Sequence, residues 1–411
     1  MHFRVSGTLF CAALVLSACS DGPREPEWAG TIADSAGIPV VQNPSEGMWA
    51  PGAGWTVAEE LSIGSMEGDL AYQFGQIGGV DVDADGNVYV ADLQAREIRV
   101  FDPTGAHLRT LGAPGEGPGE LSQAVTGVFV VGEEVVVPDL GNARVSRFSV
   151  SGDFIASDLI DLAKGVPLRL DMTAGGRLAG QYRALNPTDT LAEPSGDPIV
   201  TLPLGGQAAD TLAVLPPGQS VQFRGGQARI RQFDPEPIWD ADPDGRLVSG
   251  MNSEWRFQVW RPDGTLERVI TRPYERKPFT ARDQQVFKDA LAELMRQQGV
   301  PPQAVQGVLD QLQFAENYPA FVILALGPLG SVWVQHIRTG DELVGEEGTF
   351  DIQDLGSTDW SVFDDRGHYL GVVTFPGKYQ PLRAIGDRFY GIARDELDVQ
   401  SLKVYRVVTG S

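Results

Sequence analysis

From Trp55 onward the chain alternates apolar and polar residues in short runs, and the runs recur in a fixed order. Gly79-Val80-Asp81-Val82 leads into Asp83-Ala84-Asp85-Gly86-Asn87, then into Val88-Tyr89-Val90-Ala91-Asp92. Arg96–Phe101 follows, then Asp102-Pro103-Thr104-Gly105, then His107–Leu111. Alternation with period two predicts half-buried strands, and Asp-Gly and Pro-Thr-Gly are tight-turn sequences. The predicted unit is four short antiparallel strands joined by hairpins.

That unit returns five times. The second copy reads Thr126–Val131, Val135–Pro138, Arg144–Phe148 and Phe154–Ser157. A degenerate third reads Leu168–Met172, Arg177–Tyr182, Ile199–Leu204 and Thr211–Leu215. The fourth is Ile238–Ala241, Arg246–Ser249, Trp255–Arg261 and Thr265–Thr271; the fifth is Phe321–Leu326, Ser331–His336, Trp360–Phe363 and Tyr369–Thr374. The sixth has three strands, Leu382–Ile385, Arg388–Ala393 and Leu402–Val407. Trp55–Ile63, alone before the first copy, supplies the fourth. One unit made from both chain ends closes a ring and removes exposed sheet edges. The expected fold is all-β, a six-bladed β-propeller over residues 55–411 with a helical-hairpin insertion between blades four and five.

The insertion is read over residues 280–316. Thr280 with Asp283 makes a capping box, and Val286, Phe287, Ala290, Leu291 and Leu294 form one apolar stripe. Gly299 ends the first helix; Pro301-Pro302 open a second, whose stripe is Val305, Val308, Leu309 and Leu312. A fixed cap on the propeller is the expected role. In a four-stranded blade the first and third hairpins share one face, and the middle links and blade-to-blade crossings share the other. The long segments Gly112–Val125, Pro216–Pro237, Arg272–Pro319 and Ile337–Asp359 all belong to the second class. That insertion face is the expected binding face, because loops on a rigid scaffold carry binding residues.

The N-terminus carries an address. Arg4 and the apolar run Leu9–Leu16 suit a signal peptide, residues 1–18, and the run is too short to span a bilayer. Leu16-Ser17-Ala18-Cys19 resembles the bacterial lipobox, which implies cleavage before Cys19 and a diacylglycerol on its thiol. Ser20 after the cysteine resembles an outer-membrane sorting signal, so the chain is expected in the cell envelope, facing the periplasm or the exterior. Residues 19–54, rich in Gly, Pro, Ser and Glu, read as the lipidated cysteine and a flexible tether, with a short ordered piece near Ile38–Val41.

Composition narrows the chemistry. The chain has 411 residues, 55 Asp plus Glu against 32 Lys plus Arg, and a net charge of −23, which argues against a nucleic-acid partner. Arg4 is the only charge in residues 1–18, so the mature formal charge is −24. The two cysteines are Cys11, lost with the signal, and Cys19; no free thiol remains as a nucleophile. The four histidines are scattered, and no G-x-S-x-G elbow or phosphate loop occurs. Asp81-Asp83-Asp85 and Asp240-Asp242-Asp244 mimic the opening of a calcium loop, but the first runs into the strand Val88–Ala91 and the second has Met251 where the last carboxylate belongs, so both read as Asp-Gly hairpins. No metal, cofactor or catalytic residue is assigned.

The repeat, above all Asp85–Asp92 with the Gly112–Leu121 connector, resembles the NHL family of six-bladed propellers and its bacterial lipoproteins. The fold hosts many roles. The expected role is a non-enzymatic ligand- or protein-binding scaffold, anchored to the membrane through Cys19. The candidate site on the insertion face comprises Arg224, Arg229, Arg231, Asp234, Glu236, Asn317, Tyr318, Tyr379 and Arg383. Convergent Arg, Tyr and Asn suit an unknown protein or a small anionic or carbohydrate ligand. The alternative is a metal-dependent hydrolase or lyase of the lactonase-like propeller type, for which Glu236 and Asn317 would supply part of a Glu/Asn/Asp set.

Overall fold

In the computed structural model, residues 27–161, 166–183, 196–202, 204–206, 208–219, 221–224, 227–343, 355–395 and 397–409 are described. The signal peptide and Cys19 lie outside them. Six antiparallel sheets stand around a central channel, and each contributes its first strand to the channel wall. Blade one is Ile77–Val82, Val88–Asp92, Glu97–Phe101 and His107–Leu111. The innermost strands of the next four blades are Phe129–Val131, Val166–Thr173, Pro237–Ala241 and Leu324–Leu326. Blade six runs Tyr379–Ile385, Arg388–Arg394 and Gln400–Val408, with Thr56–Ile63 paired antiparallel to the last of these. The ring closes through that pairing, as the two orphan chain ends require.

The interior divides the same way. Six separate apolar clusters each fill one junction between neighbouring blades. Tyr89, Val100, Val128 and Val137 pack between blades one and two, and Ile63, Val80, Val90 and Leu402 between six and one. Trp239 with Ile199 and Leu247 fills three to four, while Trp333, Trp360, Phe375 and Tyr405 fill five to six. Each blade buries both faces, so its inner strands alternate less sharply than a half-exposed sheet would.

The aspartates of the repeat act as local acceptors. Asp83 takes the N–H groups of Asp85 and Asn87, Asp102 those of Thr104 and Ala106, and Asp364 those of Arg366 and His368. These are Asx turns, in which the side chain stands in for a backbone acceptor. Asp92 and Asp139, ending the second strands of blades one and two, accept locally as well and also stitch adjacent segments. Asp92 accepts from the Gly75 and Gln76 amides, and Asp139 from the Ser122 amide and hydroxyl.

Two segments depart from the sequence reading. The stretch read as a tether is folded from Trp28: Thr31–Ser35 and Ile38–Gln42 form a hairpin, and Val40–Gln42 pair in parallel with Val269–Thr271. Blade four becomes six-stranded. Its outer strand offered free N–H and C=O groups, and an extended segment covered them. The long segment Pro216–Pro237, read as a loop, contains its own hairpin, Val221–Arg224 against Gln227–Gln232, which pairs in parallel with Gln313–Phe314.

The insertion forms two helices, α1 (Ala281–Gln297) and α2 (Pro302–Gln311). The capping box is made: Thr280 Oγ1 accepts from the Asp283 amide at 3.3 Å, and the Asp283 carboxylate accepts from the Thr280 amide at 2.8 Å. Phe287 of α1 is buried on Phe233, Phe279, Phe314, Tyr318 and Ile337. The stripe of α2 is only partly covered, with Val305 buried and Val308 43% exposed.

Candidate functional site

The charges that converge lie inside the channel, toward the hairpin-face ends of four inner strands. Asp81 comes from blade one, Arg169 and Asp171 from blade three, Asp240 from blade four and Arg383 from blade six. Arg383 Nη1 donates to Asp171 Oδ1 at 2.7 Å, and its Nε stands 3.4 Å from Asp81 Oδ1. Arg169 Nη2 bridges Asp171 Oδ2 at 3.3 Å and Asp240 Oδ1 at 2.5 Å. The two blades without a charge contribute backbone donors instead. The Val130 amide of blade two donates to Asp81 Oδ2, and the Leu326 amide of blade five to Asp240 Oδ2, both at 2.8 Å. Hydrogen bonds and the Arg383–Asp81 ion pair therefore link all six blades in one polar network.

Its charges do not cancel. Three carboxylates face two guanidiniums, leaving one negative charge in a desolvated place. Burial is the main cause pushing Asp240 up, to about 7, with Asp171 adding to it against the pull of Arg169. Burial also raises Asp81, opposed by Arg383. The folded chain thus holds the Asp240 proton where an unfolded chain, with a carboxylate near 3.8, has released it. The folded state binds more protons between about pH 4 and 7, so this group's contribution to stability falls as pH rises through that window. The slope is at most about 1.4 kcal/mol per pH unit for one site. Urea unfolding of the wild type and Asp240→Asn from pH 5 to 8 measures it; the variant is expected to show a flatter profile. Equal slopes would place the proton elsewhere.

Beside this network a cavity of about 220 Å³ opens between the inner strands of blades three to six. Arg169, Asp171, Asp240, Asp242 and Arg383 supply its polar wall; Leu326, Leu382 and Phe389 belong to the apolar one. The Arg169 guanidinium also lies 5.3 Å from the Trp239 ring, which fixes its plane.

The residues expected at the insertion face are dispersed, and Arg383 alone among them belongs to the channel network. Tyr379 is a core residue: it stacks on Phe375 at 4.9 Å and donates its hydroxyl proton to the Phe389 carbonyl. Burial holds its phenol well above the usual range. Tyr318 is buried under the helical cap, accepts from the Gly340 amide and is pushed up to about 12 by burial. Arg231 pairs with buried Asp234 at 3.4 Å and donates to the Phe314 carbonyl, so it ties the hairpin to the insertion. Glu236 accepts from Arg183 at 2.7 Å, and Arg183 also grips Asp197. Asn317 bridges through its backbone to Pro278. The backbone at Arg224 and Arg229 forms the hairpin described above; their side chains lie outside the described residues. Burial of an amphipathic residue's apolar body accounts for both tyrosines: a rim position was inferred from chain order, and the packing used the rings instead.

Among the described residues no group of three His, Cys, Asp or Glu side chains is disposed to hold a metal ion. His336 is half-buried against Ser361 and Trp255, and desolvation depresses it to about 4.

No family model matches this sequence, and no curated protein does. Solved structures match across most of the chain. A putative exported protein from Bacteroides fragilis is similar with a TM-score of 0.52 and 10% identity, covering 90% of this chain and 99% of its own. A member of the DUF4221 family from Bacteroides vulgatus is similar with a TM-score of 0.53 and 11% identity, covering 87% and 98%. At these identities the likeness concerns the six-bladed propeller itself.

Proposed function

We propose that this chain is a cell-envelope lipoprotein, anchored through Cys19, whose propeller is a non-enzymatic binding module with the channel cavity as its ligand site. The carrying observation is how the channel charges are spent. Each carboxylate oxygen of Asp81, Asp171 and Asp240 faces an arginine or a backbone amide, which makes the network a joint between blades and a rigid polar wall for the cavity. A rigid wall of fixed donors and acceptors beside an apolar surface is what small-ligand sites are built from. Export is supported by the signal-like N-terminus. The lactonase-like alternative needs Glu236 and Asn317 as metal ligands. Arg183 already engages the first, and the second sits in the insertion's return segment.

Two measurements test the reading. Cys19→Ser is expected to move the chain from the membrane pellet to the soluble fraction; unchanged retention would remove the lipid anchor. Calcium at millimolar excess and chelation are both expected to leave the melting temperature within about 1 °C. A ligand that binds only the folded state at 100 times its Kd adds about 2.7 kcal/mol. A rise of several degrees with calcium would therefore restore the metalloenzyme alternative.

A further inference from the structure

The folded segment after the anchor site fixes more than a sheet edge. Trp28 stacks on His368 of blade five with ring centroids 4.1 Å apart, and its Nε1–H donates to Asn43 Oδ1 at 2.9 Å. Asn43 is buried and joins two blades. Its Nδ2 donates to the carbonyls of Thr271 in blade four and Gly367 in blade five, and its Oδ1 accepts from the Tyr369 amide at 2.7 Å. Gly367 takes a φ of +87°, and a Cβ there would meet Ile270 of blade four, so the two blades touch closely beneath this clasp. Beyond Asn43, Arg272 donates to the Ser45 carbonyl and the Trp49 amide to Leu370. From Trp28 on, the chain is therefore held to the outer rim where blades four and five meet.

Nine peptide steps separate Cys19 from Trp28. Fully extended, they reach about 30 Å. The ring is wider than that. Blade four, with six strands, measures about 24 Å from its inner to its outer strand, and the opposite blade adds about 14 Å beyond the channel. A lipid on Cys19 cannot let the far rim and the near rim exchange places. Charge selects among the remaining poses, because a body of formal charge −24 is repelled by anionic headgroups and gains by bringing little surface near them.

We propose that the rim at the junction of blades four and five is the face this propeller turns to the lipid bilayer, so that it stands on edge with both channel mouths open to the surrounding compartment. This rests on the anchored reading above.

The mature chain offers a direct test, since its one cysteine is the acylated Cys19. Single cysteines are introduced as Ser35→Cys, on the clasp hairpin, and Ser151→Cys, in the third-to-fourth strand turn of blade two on the opposite side. Both positions are exposed. The full-length lipidated chains carry a fluorophore and are placed in vesicles of phosphatidylethanolamine and phosphatidylglycerol with nitroxide-labelled headgroups. Quenching at position 35 is expected to exceed that at 151 several-fold. Equal quenching, or more at 151, would overturn the proposal. Inserting twenty Gly/Ser residues after Ser20 is expected to bring the two values together; a preference that survives would show that the tether does not set the pose. Failure of the anchored reading looks different, because the wild-type chain would then not float with the vesicles at all.

Discussion

Replacing Arg383 by methionine is expected to lower the free energy of unfolding by about 3–5 kcal/mol, the usual cost of removing one partner from a buried ion pair. Methionine keeps most of the apolar stem, so the loss isolates the guanidinium. What remains is Asp171, which had its Oδ1 at 2.7 Å from Nη1, and Asp81, whose carboxyl burial already pushes up. Both would be left as desolvated carboxylates facing each other across the channel. Acid should relieve the site: protonating the Asp81 carboxyl, which burial already pushes up, removes one of the charges, so the penalty is expected to shrink as pH falls. Adding Asp171→Asn to Arg383→Met is expected to recover part of the loss, which identifies excess negative charge rather than a lost packing contact. Urea denaturation of the two single variants and the double variant at pH 5 and 7 provides the comparison. A loss below about 1 kcal/mol at pH 7 would mean that the pairs are solvated, as exposed ion pairs are.

That network was the least legible part of the sequence, although its parts were in view. Asp81 stands between Val80 and Val82, Asp171 between Leu170 and Met172, Asp240 between Trp239 and Ala241, and Arg383 between Leu382 and Ala384. A charged residue flanked by apolar ones, at one place in four inner strands, is the signature of a channel position. Local reasoning instead assigned Asp81 and Asp240 to the neighbouring Asp-Gly turns. The partners were out of reach, since Arg383 and Asp171 lie 212 residues apart and meet only when the ring closes. The blades were legible because hairpin chemistry is local: Asp83, Asp102 and Asp364 each bond amides within four residues. The helix start at Thr280 was legible for the same reason. The clasp was half legible. Ile38–Val41 reads as a short ordered piece, but its partner Val269–Thr271 is more than 200 residues away, and nothing nearby announces it.

The closing strand predicts the largest effect in the molecule. A chain beginning at Trp55 is expected to fold, and a chain beginning at Gly64 to aggregate. The difference is nine residues, of which Thr56–Ile63 pair along Leu402–Val408. Without them Gln400–Val408 becomes a long open edge, and edge strands of that kind template association. Packing is lost as well. Ile63 is fully buried between blades six and one, Leu61 lies against the same cluster, and Trp55 and Val57 cover the junction of blades five and six. At about 2–5 kcal/mol for each large buried aliphatic deleted, Ile63 alone approaches half the stability of an ordinary domain. Geometry also supplies the rescue. Thr56 stands opposite Val408 in the antiparallel register, so the strand's start and the chain's end are hairpin neighbours. Joining Val408 to Thr56 through Asn-Gly makes a two-residue turn whose twist suits the flanking strands. A chain running from Gly64 to Val408, then Asn-Gly and residues 56–63, is expected to elute as a monomer and to melt within a few degrees of the chain that begins at Trp55. If the strand works only by its position in the chain, the permuted chain will aggregate like the truncated one. If closure is what it provides, the order of synthesis will not matter.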